Sequence, residues 1–502
     1  MRPITIVTPY SPESFFEKTL HSFTKSALVD RIIIVNQKKI KCKMAECHVI
    51  VAGPIPSQET IELILGDIRT EYLLFLSMNK QILIEPIALE RILKAAESTK
   101  AGLVYSDFYD EIKNRRTLHL LNDYLPGSIR DDFDFGAMML FTIHAVRKAL
   151  KKYGTIPHVQ FAGLYDLRLK VSIDHPVHHL QLPLYSLIRT GEPSEDERIF
   201  TYVDPRNKAV QKEMEIVFTD YLKNIGAYIP PHFLKKVGQT SISFPVVASV
   251  VIPVRNRKDT IVEAVKSAML QEVNFTFNVI VVDNYSTDGT TAILSDLASH
   301  YPALKHIVPK RTDLGIGGCW NEALHAKACG CYAVQLDSDD LYSSPHTLQE
   351  IVDMLRQGNY AMVIGSYTLV NERLEEIPPG IIDHSEWTDE NGHNNALRIN
   401  GIGAPRAFNT ALMRRIGFLN ASYGEDYAAA LRICREYRIG RIYKSLYLCR
   451  RWSGNTDAAL SIEEVNRNDA FKDRIRTDEI LARQKINGIL GHLNPCKTNS
   501  KG

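Results

Sequence analysis

The sequence lacks any hydrophobic run of membrane-spanning length. A span needs about 20 predominantly apolar residues, and the longest apolar run, Pro245 to Val254, has only the length of a strand. A surplus of one charge is also missing: 60 Lys+Arg against 58 Asp+Glu leave +2, and no Lys/Arg run exceeds two residues. That removes the bulk electrostatic case for nucleic acid or an acidic surface as partner. From Met1 the chain runs straight into the strand-like Ile4-Thr5-Ile6-Val7 without a signal-peptide core, so a cytoplasmic protein is expected. Cysteine is thin. Cys42, Cys47, Cys319, Cys329, Cys331, Cys434, Cys449 and Cys496 form no CxxC pair and no zinc-finger spacing, which reads as free thiols in a reducing compartment. What remains is ordinary globular composition, 45% hydrophobic and 24% charged over 502 residues. At about 100–200 residues per domain, that is enough chain for two to four domains.

Two segments follow one plan. The first opens with the strand Ile4–Thr8 and a helix carrying Phe15, Phe16, Leu20 and Phe23. Apolar strands follow at Ile32–Val35, Tyr72–Leu76 and Gly102–Tyr105. The second opens with Ser249–Ile252 and a helix through Ile261, Val265 and Met269, then strands at Val279–Val282, Tyr332–Leu336 and Met362–Ile364. Ser77 and Asp337 are 260 positions apart, and so are Ser106 and Ser366, and Asp166 and Asp426. Ile6 and Val250 are 244 apart and Asn36 and Asp283 247, so the offset holds from the third strand onward; at that length it means tandem domains rather than a solenoid. Short, continuously apolar strands alternating with amphipathic helices predict a mostly parallel sheet with helices on both faces. Ligands bind such sheets beyond the carboxyl ends of the strands. The expected organisation is 1–195 as one α/β domain and 196–245 as a helical linker, with Asp204-Pro205 as its start and Gly226 and Pro230-Pro231 as its end. A second α/β domain is expected over 246–460, then a helix and frayed tail over 461–502.

The polar residues placed just after strands carry the chemistry. Asp337-Ser338-Asp339-Asp340 sets three carboxylates in four residues after a buried strand. Such a cluster is costly without a cation, and hard oxygen ligands on a short turn suit Mg²⁺ or Mn²⁺ with phosphate oxygens completing the shell. The bland alternative is an acidic turn capping a helix. Asp283, after the second strand, can accept from a ribose hydroxyl or a base N–H, while Ser286 to Gly289 read as the turn before the next helix. The stretch Asp313 to Asn321, with Gly315 and Gly317, precedes a helix and could hold an anion on its N–H groups. It also mimics a dinucleotide fingerprint, which supports a rival dehydrogenase reading. Glu425-Asp426 opens a helix, either as dipole complement or with one acid as general base. Arg450-Arg451-Trp452 ends a strand and offers guanidinium groups and an aromatic face to a diphosphate or sugar.

In this order the motifs resemble a family 2 glycosyltransferase of the GT-A fold. The resemblance runs over about 248–455: Val251-Ile252-Pro253-Val254-Arg255-Asn256, Val282-Asp283-Asn284-Tyr285-Ser286-Thr287-Asp288-Gly289, the Gly-rich stretch, the DxD-type Asp337-Ser338-Asp339, the xED-type Gly424-Glu425-Asp426 and Arg451-Trp452. It implies two tandem GT-A-like α/β domains, the second an inverting, metal-dependent transferase. Pro253, Asn256, Asp283, Gly315, Gly317, Asp337 and Asp339 would face the nucleotide-diphosphate sugar, a UDP-sugar before a GDP-sugar. Asp337 and Asp339 would hold Mn²⁺ or Mg²⁺, and Asp426 would deprotonate the acceptor hydroxyl. Glu425, Arg451 and Trp452 would line the acceptor or diphosphate side. The implied acceptor is a glycan or lipid-linked glycan, as in polysaccharide or surface-glycan assembly, with room for peripheral association at the inner face of a membrane.

The sequence departs from the family pattern at Trp320 and in lacking a Gln three residues before Arg451-Trp452. In the first segment Ser77-Met78-Asn79 stands at the metal position and Asn36 at that of Asp283, which implies a degenerate copy that binds acceptor or scaffolds. Asp131-Asp132-Phe133-Asp134 and His178-His179 read as loop acids and strand-edge histidines. The two other readings are a bifunctional transferase and a non-catalytic nucleotide-sugar-binding scaffold.

Overall fold

A computed structural model of the chain describes residues 2–40, 44, 46–77, 81–113, 115–189, 207–238, 242–385, 387–452, 454–455 and 460–493. Met78, Asn79, Asp204, Pro205, Cys42, Cys496 and the tail from Asn494 lie outside them. Two compact units emerge. The first gathers the N-terminal stretch up to Arg189, the segment Ala209–Tyr228 and the chain from Leu460 on; the second is built from the described residues of Ile229–Ala459.

The first unit is centred on a seven-stranded sheet in the order Val177–Leu180, Leu103–Ser106, Met138–Thr142, Tyr72–Leu76, Ile4–Pro9, Val29–Asn36, Cys47–Val51. Its two central strands, Ile4–Pro9 and Tyr72–Leu76, are buried along nearly their whole length because helices cover both faces: Ile4, Thr5, Ile6, Val7, Leu73 and Leu74 are all buried. The helix Ala88–Thr99 turns Leu89, Ile92, Leu93 and Ala96 onto the sheet and stops where Lys100 takes a left-handed conformation (φ 54°). Each buried Leu or Ile contributes about 1.5–3 kcal/mol. A second sheet of four strands joins Gln81–Ile84, Tyr185–Arg189, Phe108–Ile112 and Arg115–His119.

The second unit has a nine-stranded sheet, ordered Leu304–Ile307, Phe277–Asp283, Ala248–Val254, Tyr332–Gln335, Arg406–Asn409, Met362–Val370, Ile439–Arg450, Leu341–Tyr342, with Glu376–Ile382 paired to Met362–Val370. Its first seven strands repeat those of the first unit in reverse listing. Ala248–Val254 lies parallel to both Phe277–Asp283 and Tyr332–Gln335, as Ile4–Pro9 does to Val29–Asn36 and Tyr72–Leu76. Arg406–Asn409 is antiparallel to both neighbours, and so is Met138–Thr142. These antiparallel strands qualify the expectation of a parallel sheet. The helix Thr347–Gly358 buries Leu348, Ile351, Val352 and Leu355 and ends at a left-handed Asn359 (φ 49°), the counterpart of the Lys100 stop.

Two helices flank these sheets in sequence. The helix expected from Asp204-Pro205 is described over Lys208–Asn224 and closes at Gly226 with φ +71°. The last helix runs over Ile462–Leu493 and is polar, yet Arg476 and Arg483 on it are fully buried. Arg476 pairs with Asp473 at 2.7 Å and Arg483 with Glu479 at 2.8 Å. Ser128 donates to Asp473 (2.8 Å), Gly127 N–H to Thr477 (2.9 Å), and Arg130 pairs with Asp469 (3.0 Å). Among the described residues Cys319, Cys329, Cys331 and Cys449 are free thiols. No helix among the described residues is long and apolar enough to cross a membrane.

Candidate active site

The strand Tyr332–Gln335 lies between Ala248–Val254 and Arg406–Asn409 and delivers Asp337 to Asp340 beyond its carboxyl end. The acidic turn is held from several sides. Both oxygens of Asp337 accept from the Gln335 side-chain amide (3.0 and 2.9 Å), and the Asp337 N–H donates to the Tyr447 hydroxyl (2.9 Å). Asp340 caps the N–H of Arg450 at 2.7 Å, and the Ser338 carbonyl accepts from Thr260 at 2.9 Å. Burial raises the carboxyl of Asp337, with the neighbouring Asp339 acting the same way and Arg406 and Gln335 against it. Asp340 is pushed well up by burial and by Asp337 and Asp339.

Asp339 meets three described donors. Its Oδ2 accepts from Trp452 Nε1 (3.1 Å) and Asn455 Nδ2 (3.4 Å) and lies 3.6 Å from Arg257 Nε. The Arg257 guanidinium also donates to the Gly454 carbonyl (3.1 Å) and lies 5.8 Å from the Trp452 ring. Arg451 follows Arg450, whose own guanidinium pairs with Glu263 at 2.6 Å; the Arg451 N–H donates to Val370 O.

Across from the turn, Gly424 with φ +73° opens the helix Glu425–Cys434 and sets both acids in its first turn. Asp426 accepts from the Tyr427 N–H (2.7 Å) and pairs with Arg406. Glu425 is buried, and its carboxyl rises to about 8 through that burial and the adjacent Asp426. Arg406 closes the circuit, because its N–H donates to Gln335 Oε1 at 3.1 Å. The structure therefore brings Asp337, Asp339, Glu425, Asp426 and Trp452 into one network. Burial alone would lower the affinity of Arg406 for its proton; Asp426, Asp337 and Glu425 more than reverse that.

Other expected site residues have structural work. Asp283 is fully buried, and its oxygens serve Ser286 N–H (3.0 Å), Thr291 Oγ1 (2.5 Å) and His306 (3.5 Å). Asn256, in a left-handed conformation, accepts from Thr287 N–H (2.8 Å) and donates its own N–H to Ser286 Oγ (2.9 Å). Together they stitch the loops after the first two strands. Pro253 lies within its strand opposite Val282. The N–H groups of Gly315 and Gly317, where an anion cradle is expected, donate within the protein, to Asn420 Oδ1 (2.8 Å) and Ala421 O (2.9 Å). A Cβ on Gly317 would meet the Leu419 carbonyl oxygen at 1.9 Å. Trp320 is core, packed on Phe408 and Phe418 with ring centroids 5.8 and 5.3 Å away. Sequence reasoning gave no role to Gln335, Arg406, Arg257, Tyr447 and Asn455: Arg406, Arg257 and Tyr447 meet site partners distant in the chain, and Gln335 and Asn455, though near Asp337 and Trp452, carry no spacing signal.

In the first unit Asp166 is buried and paired with Lys170 on its own helix at 2.8 Å. Burial raises its carboxyl to about 6 against the pull of Lys170. Asn36 donates to Lys38 O. His179 sits buried between Asp107 (2.9 Å) and Asp123 (2.8 Å), and Asp132 pairs with Arg130 (2.9 Å). Among the described residues no group of three or more His, Cys, Asp or Glu is arranged to hold a metal ion. Asp337 and Asp339 fit a smaller requirement, since Mg²⁺ commonly takes one or two carboxylates plus substrate phosphate oxygens.

Residues 249–418 match the family model described as glycosyl transferase family 2. This segment is a family 2 glycosyltransferase domain. EpsE of Bacillus subtilis, provisionally named a glycosyltransferase, is 30% identical over 122 residues, which is 24% of this chain and 43% of that protein. An uncharacterized glycosyltransferase of Rickettsia felis is 27% identical over 216 residues, 42% of this chain and 33% of that one. Chondroitin synthase of Escherichia coli is 31% identical over 131 residues, 25% of this chain and 18% of that one. The chain thus spans less than half the length of the curated relatives it matches. Among solved structures, S. aureus TarS 1-349 in complex with UDP-GlcNAc aligns with TM-score 0.36 at 22% identity, covering 50% of this chain and 76% of that one. The family 2 domain contains Asp337 and Asp339; Glu425, Asp426 and Trp452 lie beyond the matched residues.

Proposed function

We propose that the second unit transfers a sugar, with inversion, from a nucleotide-diphosphate sugar to a hydroxyl of a glycan or lipid-linked glycan, in polysaccharide or surface-glycan assembly. The observation that carries this is the acidic turn Asp337–Asp340 at a strand end, joined through Gln335 and Arg406 to Asp426 on a helix start. The acceptor oxygen forms the new bond to the anomeric carbon as its proton passes to Asp426. The bond from that carbon to the diphosphate breaks, and the diphosphate leaves with the electron pair. A base so placed contributes about 10²–10⁴-fold. Asp339 and Asp337 would hold Mn²⁺ or Mg²⁺, whose charge supports the departing diphosphate. Trp452 and Arg451 would line the acceptor or diphosphate side, and Asp283 and Asn256 would shape the nucleotide's loop. The first unit is a second copy of this fold without the acidic turn, and its role is scaffold or acceptor binding. The repeated strand order supports this, as does Asp166 being sealed by Lys170.

Thermal unfolding with UDP, GDP and other nucleoside diphosphates, with and without Mn²⁺, tests the reading. At about 100 times Kd a ligand adds roughly 2.7 kcal/mol, and a unit of this size should melt about 5–11 °C higher. A metal-dependent shift with one nucleotide, absent in Asp339→Ala, is the expected result. No shift with any nucleotide would leave a scaffold.

A further inference from the structure

Arg406 opens the strand Arg406–Asn409 and is tied to both halves of the site. Its side chain is 17% exposed, and its guanidinium pairs with Asp426. Its main-chain N–H donates to Gln335 Oε1 at 3.1 Å, and the amide of that same Gln335 holds both oxygens of Asp337. Around it Asp426, Asp337 and Glu425, in that order, favour the charged guanidinium. Buried like charges at this spacing repel one another unless a cation stands among them, and removing one member of a buried pair leaves the other uncompensated.

The first unit supplies an independent observation. Tyr332 pairs with Asn409 as Tyr72 pairs with Thr142, so the same count along the strands sets Met139 at the Arg406 position and Phe75 at the Gln335 position. There the helix carboxylate, Asp166, is held instead by Lys170. The unit without the acidic turn is also without the arginine and the glutamine. Arg406 and Gln335 therefore travel with the chemistry, not with the fold.

We propose that Arg406 is a positioning residue for the transfer reaction: its guanidinium fixes the Asp426 carboxylate in the orientation that receives the acceptor's proton, while its main chain, through Gln335, fixes Asp337. This rests on the transferase reading above, with Asp426 as base. Arg406→Met keeps the main-chain N–H and with it the hydrogen bonds that Gln335 makes to Asp337, so of the site carboxylates Asp426 alone loses a bonded partner. The substitution therefore separates turnover from nucleotide binding.

The test uses the full chain with Mn²⁺ and follows nucleoside diphosphate release from UDP-GlcNAc, UDP-glucose, UDP-galactose and GDP-mannose, with UDP and GDP affinity by calorimetry. Misplacement of a reacting group by about 1 Å costs about 10²-fold. Arg406→Met should therefore lower kcat about 100-fold and leave nucleotide Kd within about 3-fold, and Arg406→Lys should recover much of that loss. In an Asp426→Asn background Arg406→Met should cost less than about 3-fold more, because residues acting as a unit are not additive. Multiplicative losses in the double variant, or a fall in nucleotide affinity matching the fall in kcat, would overturn the proposal. Should Arg406→Met fail to fold, Arg406→Lys runs the same cycle, with a loss of about 10-fold that must vanish beside Asp426→Asn. Full turnover by Asp426→Asn, or no release from any donor by the unmodified chain, overturns instead the base assignment or the transferase reading, and this proposal falls with it.

Discussion

Replacing Gly317 by alanine tests the packing account of the Gly-rich stretch. The new Cβ would stand 1.9 Å from the Leu419 carbonyl oxygen, 3.0 Å from its carbon and 2.9 Å from Glu425 Cβ. An ordinary contact begins near 3.4 Å, so the 419–422 segment or the helix Ile316–His325 must retreat by about 1.5 Å. The retreat also strains the bond from Gly317 N–H to Ala421 O. Overpacking against well-ordered groups costs about 1–3 kcal/mol, and a backbone carbonyl belongs at the upper end. Alanine's better helix propensity returns up to about 1 kcal/mol, which leaves roughly 2 kcal/mol of net destabilisation. For a unit of 150–250 residues this lowers the melting temperature by about 4–8 °C. Differential scanning calorimetry should show that fall in the transition that nucleotide raises. Gly488→Ala is the control: that helical glycine has nothing within 4 Å of its Cβ position, so the same exchange should hold or raise stability, by up to about 1 kcal/mol. A Gly317→Ala protein melting at or above the unmodified one would refute the packing argument and reopen the anion cradle.

Three further outcomes are expected. Burial works to lower the His119 pKa, but hydrogen bonds to Asp110 and Asp134 more than offset it, and the group rises to about 8. A raised histidine stabilises fully below its unfolded value near 6.5 and loses that support as pH climbs through 8. Urea unfolding of the first unit should therefore be weaker at pH 9 than at pH 6 by roughly 2 kcal/mol, a difference that His119→Gln should flatten; equal slopes with pH in both proteins would discard the idea. Lys170→Met strands the buried Asp166 and should cost about 3–5 kcal/mol, most of it regained in Lys170→Met/Asp166→Asn; an additive double variant would mean the pair is not a unit. Asn409 caps the helix Thr410–Ile416 by accepting from Leu412 N–H at 3.0 Å, so Asn409→Ala should cost about 1 kcal/mol in chemical denaturation, and a neutral result would deny the cap.

Much of this molecule could be read from its residues. The strand Tyr72–Leu76 is bounded where its apolar run is bounded, and Ala248–Val254 and Phe277–Asp283 extend the apolar cores Ser249–Ile252 and Val279–Val282 by a few residues. A strand buried on both faces leaves an unbroken hydrophobic signal, which is why these were legible. Arg406–Asn409 was not, because four residues after Pro405 carry no period, and the strand's value lies in being antiparallel between two parallel neighbours. Asp337, Asp339 and Asp426 stood out because their placement after strands and at a helix start is itself a pattern. Gln335 and Arg406 did not, since a glutamine at a strand end and a lone arginine look like any others until the fold sets them 3.1 Å apart. The glycines show the opposite case. Gly315 and Gly317 read as N–H groups that could hold an anion, while the fold shows at both a backbone segment in close approach. The helix Ile462–Leu493 was legible as helix and as polar, while its buried Asp473, the partner of Arg476, also takes Ser128 and Arg130, more than three hundred positions earlier.

That last helix also sets a timetable. It belongs to the first unit, yet about 270 residues separate it from Arg189, the last described residue of the earlier stretch, with Ala209–Tyr228 added between. At roughly 5–20 residues per second, a ribosome needs about a quarter of a minute to a minute to cross that distance. Through that interval Arg130 and Ser128 have emerged without Asp469 and Asp473, the carboxylates that later satisfy them. Of the two units, the one whose strands emerge earlier receives this helix only after the strands of the other have been synthesised, and it waits for a partner segment while its younger sibling already has every strand of its sheet.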